Sequence, residues 1–288
     1  MAEQTPVIAL LSPGAMGSAI AARLTGHGAR VLTSLAGRSP ASAERAKAAG
    51  MHDASDAELA RADIILSVVP PGDAEALAER LLPHLVAAEN RPLYIDANAL
   101  SPETKRSMAG RLESSGVAMV DGSIIGPPPR GQAGYTILYL AGPSASRGSV
   151  LGSLGLKVRV LDGPVGAASA LKMCFAGINK GLVGLGSAML LAAERAGAGD
   201  ALALQMHEIM PDLVDRFRRQ VPDMYAKAYR WIAEMREISA FLQQDPAAAM
   251  IFEGMAQLYE RLAADIAGPQ QEQAMLDRAI ARSAPAER

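Results

Sequence analysis

The sequence predicts an α/β protein in which a doubly wound parallel sheet (residues 1–164) is followed by an all-α domain (residues 165–288). In the first half, short apolar runs of β type alternate with helical segments, which is typical of a parallel sheet covered by helices on both faces. The β pattern stops after Gly163-Pro164. Beyond that point apolar residues recur at three- and four-residue steps, as in helices that bury one face.

The strands of the predicted sheet are short apolar runs, and helix-forming segments separate many of them. The predicted strands are Val7–Leu11, Arg30–Leu35, Ile64–Val69, Leu93–Asp96, Ala118–Val120, Thr136–Leu140 and Lys157–Leu161. A helix is predicted directly after the first strand, and three more are predicted at Ala41–Ala49, Ala74–Leu82 and Pro102–Ser114. Ser101-Pro102 is a good N-cap and first-turn pair for the last of these.

The second domain is predicted to begin with one long helix that is rich in small residues. This helix covers Ala167–Ala196, and Gly197 is suited to ending it. Three further amphipathic helices are predicted at Leu202–Phe217, Tyr225–Leu242 and Ala247–Ala264. The apolar stretch Gly181–Ala193 is too short to cross a bilayer.

Composition and charge argue against several classes of partner. The net charge of −2 gives no electrostatic footprint for nucleic acid or an anionic membrane, so neither partner is expected. The single cysteine, Cys174, excludes an internal disulfide. Because the first residues show no basic segment followed by an apolar run, we expect a cytoplasmic protein.

A glycine-rich turn follows the first predicted strand and leads into the first helix. Its residues Ser12, Gly14, Ala15, Met16 and Gly17 indicate a dinucleotide site, in which a diphosphate lies against the N–H groups at the helix N-terminus. Ser12 stands where the usual fingerprint has its first glycine. The alternative is a glycine turn that binds nothing.

The end of the second strand favours NADP over NAD. Enzymes that bind NAD usually place Asp or Glu there, whereas this chain has Gly37, Arg38 and Ser39. A guanidinium and a hydroxyl suit a 2′-phosphate, which a carboxylate would repel. The alternative is that Arg38 is a solvated loop residue.

Two later turns are expected to border the cofactor site, because ligands of open α/β sheets lie at the carboxyl ends of strands. One carries Val69 and Pro70, and the other carries Asn98. We expect the Asn98 amide to face the nicotinamide and the reacting carbon. The alternative is an asparagine that satisfies its own turn.

Together these motifs make the chain resemble the β-hydroxyacid dehydrogenase and 6-phosphogluconate dehydrogenase superfamily. The matching segments are Pro13-Gly14-Ala15-Met16-Gly17, Ser67-Val68-Val69-Pro70-Pro71, Asp96-Ala97-Asn98, Asp121-Gly122-Ser123-Ile124-Ile125-Gly126-Pro127-Pro128 and Gly166-Ala167-Ala168-Ser169-Ala170-Leu171-Lys172. Residues 229–238 resemble a bacterial and fungal branch with an uncharacterised helical C-terminal domain. The resemblance implies a Rossmann domain, a long interdomain helix and a helical domain that forms a homodimer.

Lys172 matches the catalytic lysine of that superfamily. The resemblance implies that it removes the hydroxyl proton of an alcohol while hydride passes to the nicotinamide, or protonates the carbonyl oxygen in reduction. A lysine on a predicted helix is usually a solvated surface group, but the residues around Lys172 are apolar nearly all round the helix, as in a buried helix.

Two departures from the superfamily pattern affect the expected substrate. Ile125 and Ala176 replace a serine and an asparagine, so a carboxylate clamp for a simple 3-hydroxy acid is not expected. Ser123 remains available for substrate. Asn179 and Lys180 either bind a distant polar end of a larger substrate or contact a neighbouring helix.

The expected function is an NADP-dependent oxidoreductase that acts on a small polar metabolite. An imine reductase, which would deliver hydride to C=N, and a non-catalytic NADP(H)-binding sensor remain alternatives. No metal is expected, since His27, His52, His84 and His207 have no ligand spacing.

Overall fold

The computed structural model describes residues 6–129 and 136–282. It divides into two compact units, Met1–Lys172 and Met173–Arg288. The first contains the sheet, and the second is helical. The predicted fold class, an α/β sheet domain followed by an all-α region, is confirmed.

The described residues of the first unit form one sheet of eight strands. The strands are β1 (Val7–Leu11), β2 (Arg30–Thr33), β3 (Met51–Asp53), β4 (Ile64–Ser67), β5 (Leu93–Asp96), β6 (Met119–Ile125), β7 (Ile137–Ala141) and β8 (Lys157–Val160). Their spatial order is β3-β2-β1-β4-β5-β6-β7-β8. The chain therefore reverses its direction of winding between β1 and β4, as in a doubly wound sheet.

One pair of strands departs from the all-parallel prediction. β6 and β7 run antiparallel, with Ser123 opposite Tyr139, whereas all the other strand pairs are parallel. An antiparallel partner needs no helical crossover. The sequence between the two strands carries no predicted helix, in agreement with this pairing.

Helices cover the two faces of the sheet. They are α1 (Ala15–Gly26), α2 (Pro40–Ala48), the single turn α3 (Asp56–Leu59), α4 (Ala74–Ala87) and α5 (Pro102–Ser114), with 3₁₀ turns at Pro71–Asp73 and Ala145–Gly152. Along β1, Ile8 and Leu10 belong to one apolar core and Ala9 and Leu11 to the other. Burial on both faces explains why this strand is a continuous apolar run.

The long helix α6 (Ala167–Arg195) begins in the first unit and continues into the second. It is followed by α7 (Gly199–Ile209), α8 (Pro211–Tyr225), α9 (Ala228–Phe241), α10 (Pro246–Ala267) and α11 (Gln271–Arg282). The predicted helix Leu202–Phe217 is in fact two helices. Met210 has a non-helical backbone conformation and Pro211 opens α8, because proline fits the first turn of a helix.

Among the described residues, α6 is the one helix long and apolar enough to cross a membrane, and 39% of an apolar 18-residue segment within it is buried in the protein. The apolar stretch is therefore longer than Gly181–Ala193. Buried helices of other proteins meet the same length and composition criteria.

Candidate functional site

The glycine turn after β1 has the geometry of a dinucleotide loop. Ser12 has a φ of 86°, a conformation that favours glycine, so the serine adopts the backbone of the residue it replaces. A Cβ on Gly17 would lie 2.1 Å from the Ser12 carbonyl oxygen and 3.1 Å from Leu10 Cδ2. Glycine is thus required at position 17 for α1 to pack against the end of β1.

The start of α1 fits an anionic ligand. Gly14 is its N-cap residue, no side chain caps the helix, and no acidic residue lies in the first turn, which includes Ala15 and Met16. At Gly14 the atom nearest to an added Cβ would be Ser12 Oγ at 3.7 Å, so the backbone is open to close approach. Uncapped N–H groups together with the helix dipole suit a pyrophosphate at this position.

Polar side chains of the loop after β2 and of helix α2 lie near the glycine turn. Gly37 has a φ of 70°, Arg38 is exposed, and Ser39 caps α2 by accepting a hydrogen bond from the Ser42 N–H. Arg45 Nε donates to the Pro13 carbonyl oxygen at 3.0 Å. Sequence reasoning missed Arg45, because a helical arginine has no local signal that relates it to a loop 32 residues earlier.

A carboxylate also lies at this edge of the sheet. Asp53 ends β3 and stands opposite Thr33, the last residue of β2, and its Oδ1 accepts a hydrogen bond of 2.8 Å from the Leu35 N–H. β3 was not predicted, because it has three residues and only the first is buried. An acidic side chain is therefore present near the end of β2, supplied by the neighbouring strand.

Asn98 joins the ends of β4 and β5. Its Oδ1 accepts from the Val69 N–H at 2.7 Å, and its Nδ2 donates to Ser67 Oγ at 2.8 Å and to Asp96 Oδ2 at 2.7 Å. Only 3% of Asn98 is exposed. The side chain therefore fixes the turn at Val69 and Pro70, and its contact with a ligand stays a prediction.

A buried ion cluster lies at the carboxyl end of β5, where Asp96 stands opposite Asp121 of β6. Lys105 of α5 is fully buried, and its Nζ lies 2.5 Å from Asp96 Oδ1 and 3.5 Å from Asp121 Oδ1. The same Nζ donates to the backbone carbonyl oxygens of Asp96 and Gly122 at 2.5 and 3.2 Å. Both carboxylates are themselves fully buried.

Asp121 connects this cluster to the start of α6. Its Oδ2 accepts from the backbone N–H groups of Gly166 and Ser169 at 2.9 and 3.0 Å, and its Oδ1 accepts from Ser169 Oγ at 2.6 Å. A carboxylate at a helix N-terminus is stabilised by the free N–H groups and by the helix dipole. Asp121 thus holds the first turn of the helix that carries Lys172.

Lys172 lies one turn further along α6, at the end of the first unit, and is partly exposed. Burial, followed by the like charge of Lys105, lowers the pKa of Lys172 from 10.5 to about 8. A lysine with that pKa takes up and releases protons near neutral pH, as general acid-base catalysis requires.

Ser123 lies on β6, two residues after Asp121 and hence on the same face of the sheet. It is fully buried, and its Oγ has no hydrogen-bond partner among the described residues. A buried hydroxyl without a partner is costly unless a ligand or water satisfies it.

In the second unit, Asn179 and Lys180 contact neighbouring helices. Arg216 of α8 donates to Asn179 Oδ1. Lys180 forms an ion pair with Glu234 and lies 5.5 Å from the centre of the Trp231 ring. The sequence left open whether Asn179 and Lys180 contact a neighbouring helix or bind substrate, and each makes the helix contact in this structure. Their part in substrate binding stays a prediction.

Metal ligands are not clustered in the described part of the chain. Over residues 6–129 and 136–282, no group of three or more His, Cys, Asp and Glu side chains is placed to hold a metal ion.

Two protein families match the chain. Residues 7–154 match the NAD binding domain of 6-phosphogluconate dehydrogenase, and residues 193–262 match a domain of unknown function, DUF1932. The first match covers just over half of the chain and includes the glycine turn, Asn98, Lys105 and Asp121.

Proteins similar to this chain have been described with different functions. A solved conserved protein of unknown function, described as similar in structure to 3-hydroxyacid dehydrogenases, is 26% identical with a TM-score of 0.79, over 94% of this chain and 99% of that one. A probable 3-hydroxyisobutyrate dehydrogenase of Mycobacterium bovis is 28% identical over 171 residues, which are 58% of this chain and 57% of that protein. An imine reductase variant from Myxococcus stipitatus, solved with NAD+, is 20% identical with a TM-score of 0.59, over 96% of this chain and all of that one.

Proposed function

Because the chain belongs to the family of the NAD binding domain of 6-phosphogluconate dehydrogenase, we propose that it is an NADP-dependent oxidoreductase that interconverts a hydroxyl and a carbonyl group. The substrate is a small polar metabolite. The observation that carries the proposal is Lys172, a partly exposed amine on α6 whose pKa is lowered to about 8. Proteins of this family are NAD(P)-binding oxidoreductases.

In the proposed reaction Lys172 moves the proton. In oxidation its neutral amine takes the hydroxyl proton of the substrate, the C–H bond breaks, and the carbonyl double bond forms. The bound nicotinamide supplies the acceptor for the hydride, or the donor in reduction. In reduction the Lys172 ammonium gives its proton to the carbonyl oxygen. Ser123, whose buried hydroxyl has no partner among the described residues, donates a hydrogen bond to the substrate.

The groups that favour NADP are Arg38, Ser39 and Arg45. Arg45 is anchored to the glycine turn through the Pro13 carbonyl oxygen, and a guanidinium binds a phosphate more strongly than a neutral donor does. Asp53 opposes this preference with a carboxylate at the end of the neighbouring strand. We propose that the two arginines outweigh it, since Asp53 already accepts the Leu35 N–H.

Fluorescence titration of both reduced coenzymes tests the cofactor. NADPH is expected to bind at least tenfold more tightly than NADH, and Arg38→Ala and Arg45→Ala are each expected to reduce that ratio several-fold by weakening NADPH alone. Arg91→Ala is a matched control, because Arg91 is an exposed arginine elsewhere in the same unit that bonds the Ser115 carbonyl oxygen. Equal affinity for the two coenzymes contradicts the NADP assignment.

Turnover on a panel of substrates tests the reaction. Hydroxy acids, other polar alcohols and cyclic imines are assayed beside each other with wild type and Lys172→Ala. Oxidation of an alcohol that Lys172→Ala abolishes supports the proposal. Imine reduction that survives the substitution favours the imine reductase alternative, which the likeness of fold keeps open. Coenzyme binding without turnover of any substrate favours a sensor.

We also propose that the protein is a homodimer whose subunits meet along α6. Phe175, Ile178, Leu185 and Met189 are between 49% and 69% exposed, and their spacing of three, seven and four residues places them on one side of the helix. A second copy would cover this apolar surface. Leu185→Glu is expected to give monomers in analytical ultracentrifugation, whereas Val86→Glu, at an exposed valine of α4, leaves the dimer intact.

A further inference from the structure

We propose that Lys105 is a positioning residue for Lys172, because its buried ammonium, through Asp121, fixes the turn of α6 that presents the amine. This inference rests on the proposed function for its catalytic meaning. The contacts that carry it all lie within the first unit.

The environment of Lys105 commits all three of its N–H bonds. They point to Asp96 Oδ1 at 2.5 Å, to the Asp96 carbonyl oxygen at 2.5 Å and to the Gly122 carbonyl oxygen at 3.2 Å. An ammonium donates three hydrogen bonds and accepts none, which matches this set of acceptors. With no exposed surface, the side chain has no route to another orientation without leaving these oxygens buried and unpaired.

A short chain of contacts leads from Lys105 to Lys172. The ammonium lies 3.5 Å from Asp121 Oδ1, and Asp121 accepts from Gly166 and Ser169 in the first turn of α6. Lys172 follows Ser169 by three residues, so the two side chains are neighbours on one face of the helix. Without the charge of Lys105, Asp121 would be a buried carboxylate held by helix N–H groups and one hydroxyl alone.

The charges around this turn come from three elements. Helix α5 supplies Lys105 and also Arg106, which lies beside Gly166 and is paired with Glu103. Strands β5 and β6 supply Asp96 and Asp121, and both carboxylates are bonded within the cluster. After burial, the charge of Lys105 is the influence that lowers the pKa of Lys172. Lys105 therefore contributes to the position of Lys172 and, second to burial, to its lowered pKa.

A buried ion pair can also be purely structural, and removing one partner of such a pair is strongly destabilising. The test must therefore report on the Lys172 amine itself and not only on activity. Competitive acetylation by acetic anhydride meets this need, since only the neutral amine reacts and peptide mass spectrometry gives the pH midpoint of each lysine. It requires neither coenzyme nor substrate.

The expected midpoint for Lys172 in the wild type is near pH 8. Lys105→Gln is expected to raise it by about half a pH unit to one unit, because burial is the larger cause of the shift, while Lys105→Arg, which keeps the charge, leaves it within about 0.3 unit. Lys47→Gln, at an exposed lysine of α2, is the matched control and leaves it unchanged. A folded Lys105→Gln protein whose Lys172 midpoint stays at the wild-type value overturns the proposal.

A second measurement needs no variant and remains decisive if Lys105→Gln fails to fold. In the wild type, the amide hydrogens of Gly166 and Ser169, which donate to Asp121, are expected to exchange with solvent as slowly as those of the buried strand β5. Fast exchange of these two amides would show that the first turn of α6 is not held in place, and it overturns the proposal. Both readouts are independent of catalysis, so an inactive protein with the expected midpoints refutes the proposed function alone.

Discussion

The pH dependence of turnover tests the role of Lys172 most directly. With a pKa of about 8, the neutral amine makes up about a tenth of the population at pH 7, against about one part in 3000 for an unshifted lysine. Alcohol oxidation needs the neutral amine, so its kcat/KM is expected to rise about tenfold between pH 7 and pH 9 and then level off. Carbonyl reduction needs the ammonium and is expected to fall about tenfold over the same range.

Initial rates followed by nicotinamide absorbance, with a substrate that does not titrate between pH 7 and pH 10, give both profiles. Lys172→Ala is expected to lower kcat/KM by about 10²- to 10⁴-fold and to remove the break near pH 8. A break near 10.5, rates that change in the same direction for oxidation and reduction, or a break that survives in Lys172→Ala would refute the role of this lysine as acid and base.

Three further substitutions have expected effects on stability, each measured by urea unfolding. Lys172→Met is expected to raise the free energy of unfolding by about 1–2 kcal/mol at pH 7, because the lowered pKa makes the folded state disfavour the charge, and partial exposure reduces the effect. The difference in unfolding free energy between Lys172→Met and the wild type shrinks as pH rises from 8 to 10.5, because the wild-type lysine loses its charge there and the wild type becomes more stable. A difference that does not change with pH contradicts this. Ser12→Gly is expected to add about 1 kcal/mol by releasing a strained φ of 86°, whereas Ser12→Ala does not. Gly17→Ala is expected to cost about 2–3 kcal/mol, because its Cβ would lie 2.1 Å from the Ser12 carbonyl oxygen, and a loss below about 1 kcal/mol would show that the turn yields easily.

The elements predicted with correct bounds have strong local signals. β1 and β5 are runs buried on both faces, and α5 begins where the Ser101 side chain accepts from the Thr104 N–H and Pro102 enters the first turn. These features depend on residues within a few positions of one another, so a single sequence contains them.

The elements that were missed depend on distant partners or on weak signals. β3 is stabilised by pairing with β2 and has little apolar content of its own. The break at Met210 separates two segments that share one helical period, and only the proline after it marks the boundary. α11 lies in a polar segment in which only Leu276 and Ala279 are buried.

The same distinction applies to the candidate site. The glycine turn is built from consecutive residues, so its pattern can be recognised in the sequence, and Ser12 adopts the positive φ expected there. The ion cluster needs β5, β6, α5 and α6 to be assembled. One signal was present: Lys105 falls on the buried stripe of α5 with Met108, Ala109 and Leu112, where a lysine is unusual.

Two energetically unfavourable features, the backbone of Ser12 and the lowered pKa of Lys172, help to distinguish an enzyme from a protein that only binds a nucleotide. A nucleotide sensor would account for the strained backbone of Ser12, because that turn would hold a phosphate of the nucleotide. It would not account for a partly exposed amine placed under the influence of a fixed positive charge, since binding an anion is served better by a lysine that stays fully charged. A lowered pKa weakens Lys172 as an anion-binding group and improves it as a proton carrier, and Lys105 contributes to that change from a fully buried position. The arrangement therefore favours catalysis, and the acetylation midpoint of Lys172 with and without the charge at position 105 decides whether this reasoning holds.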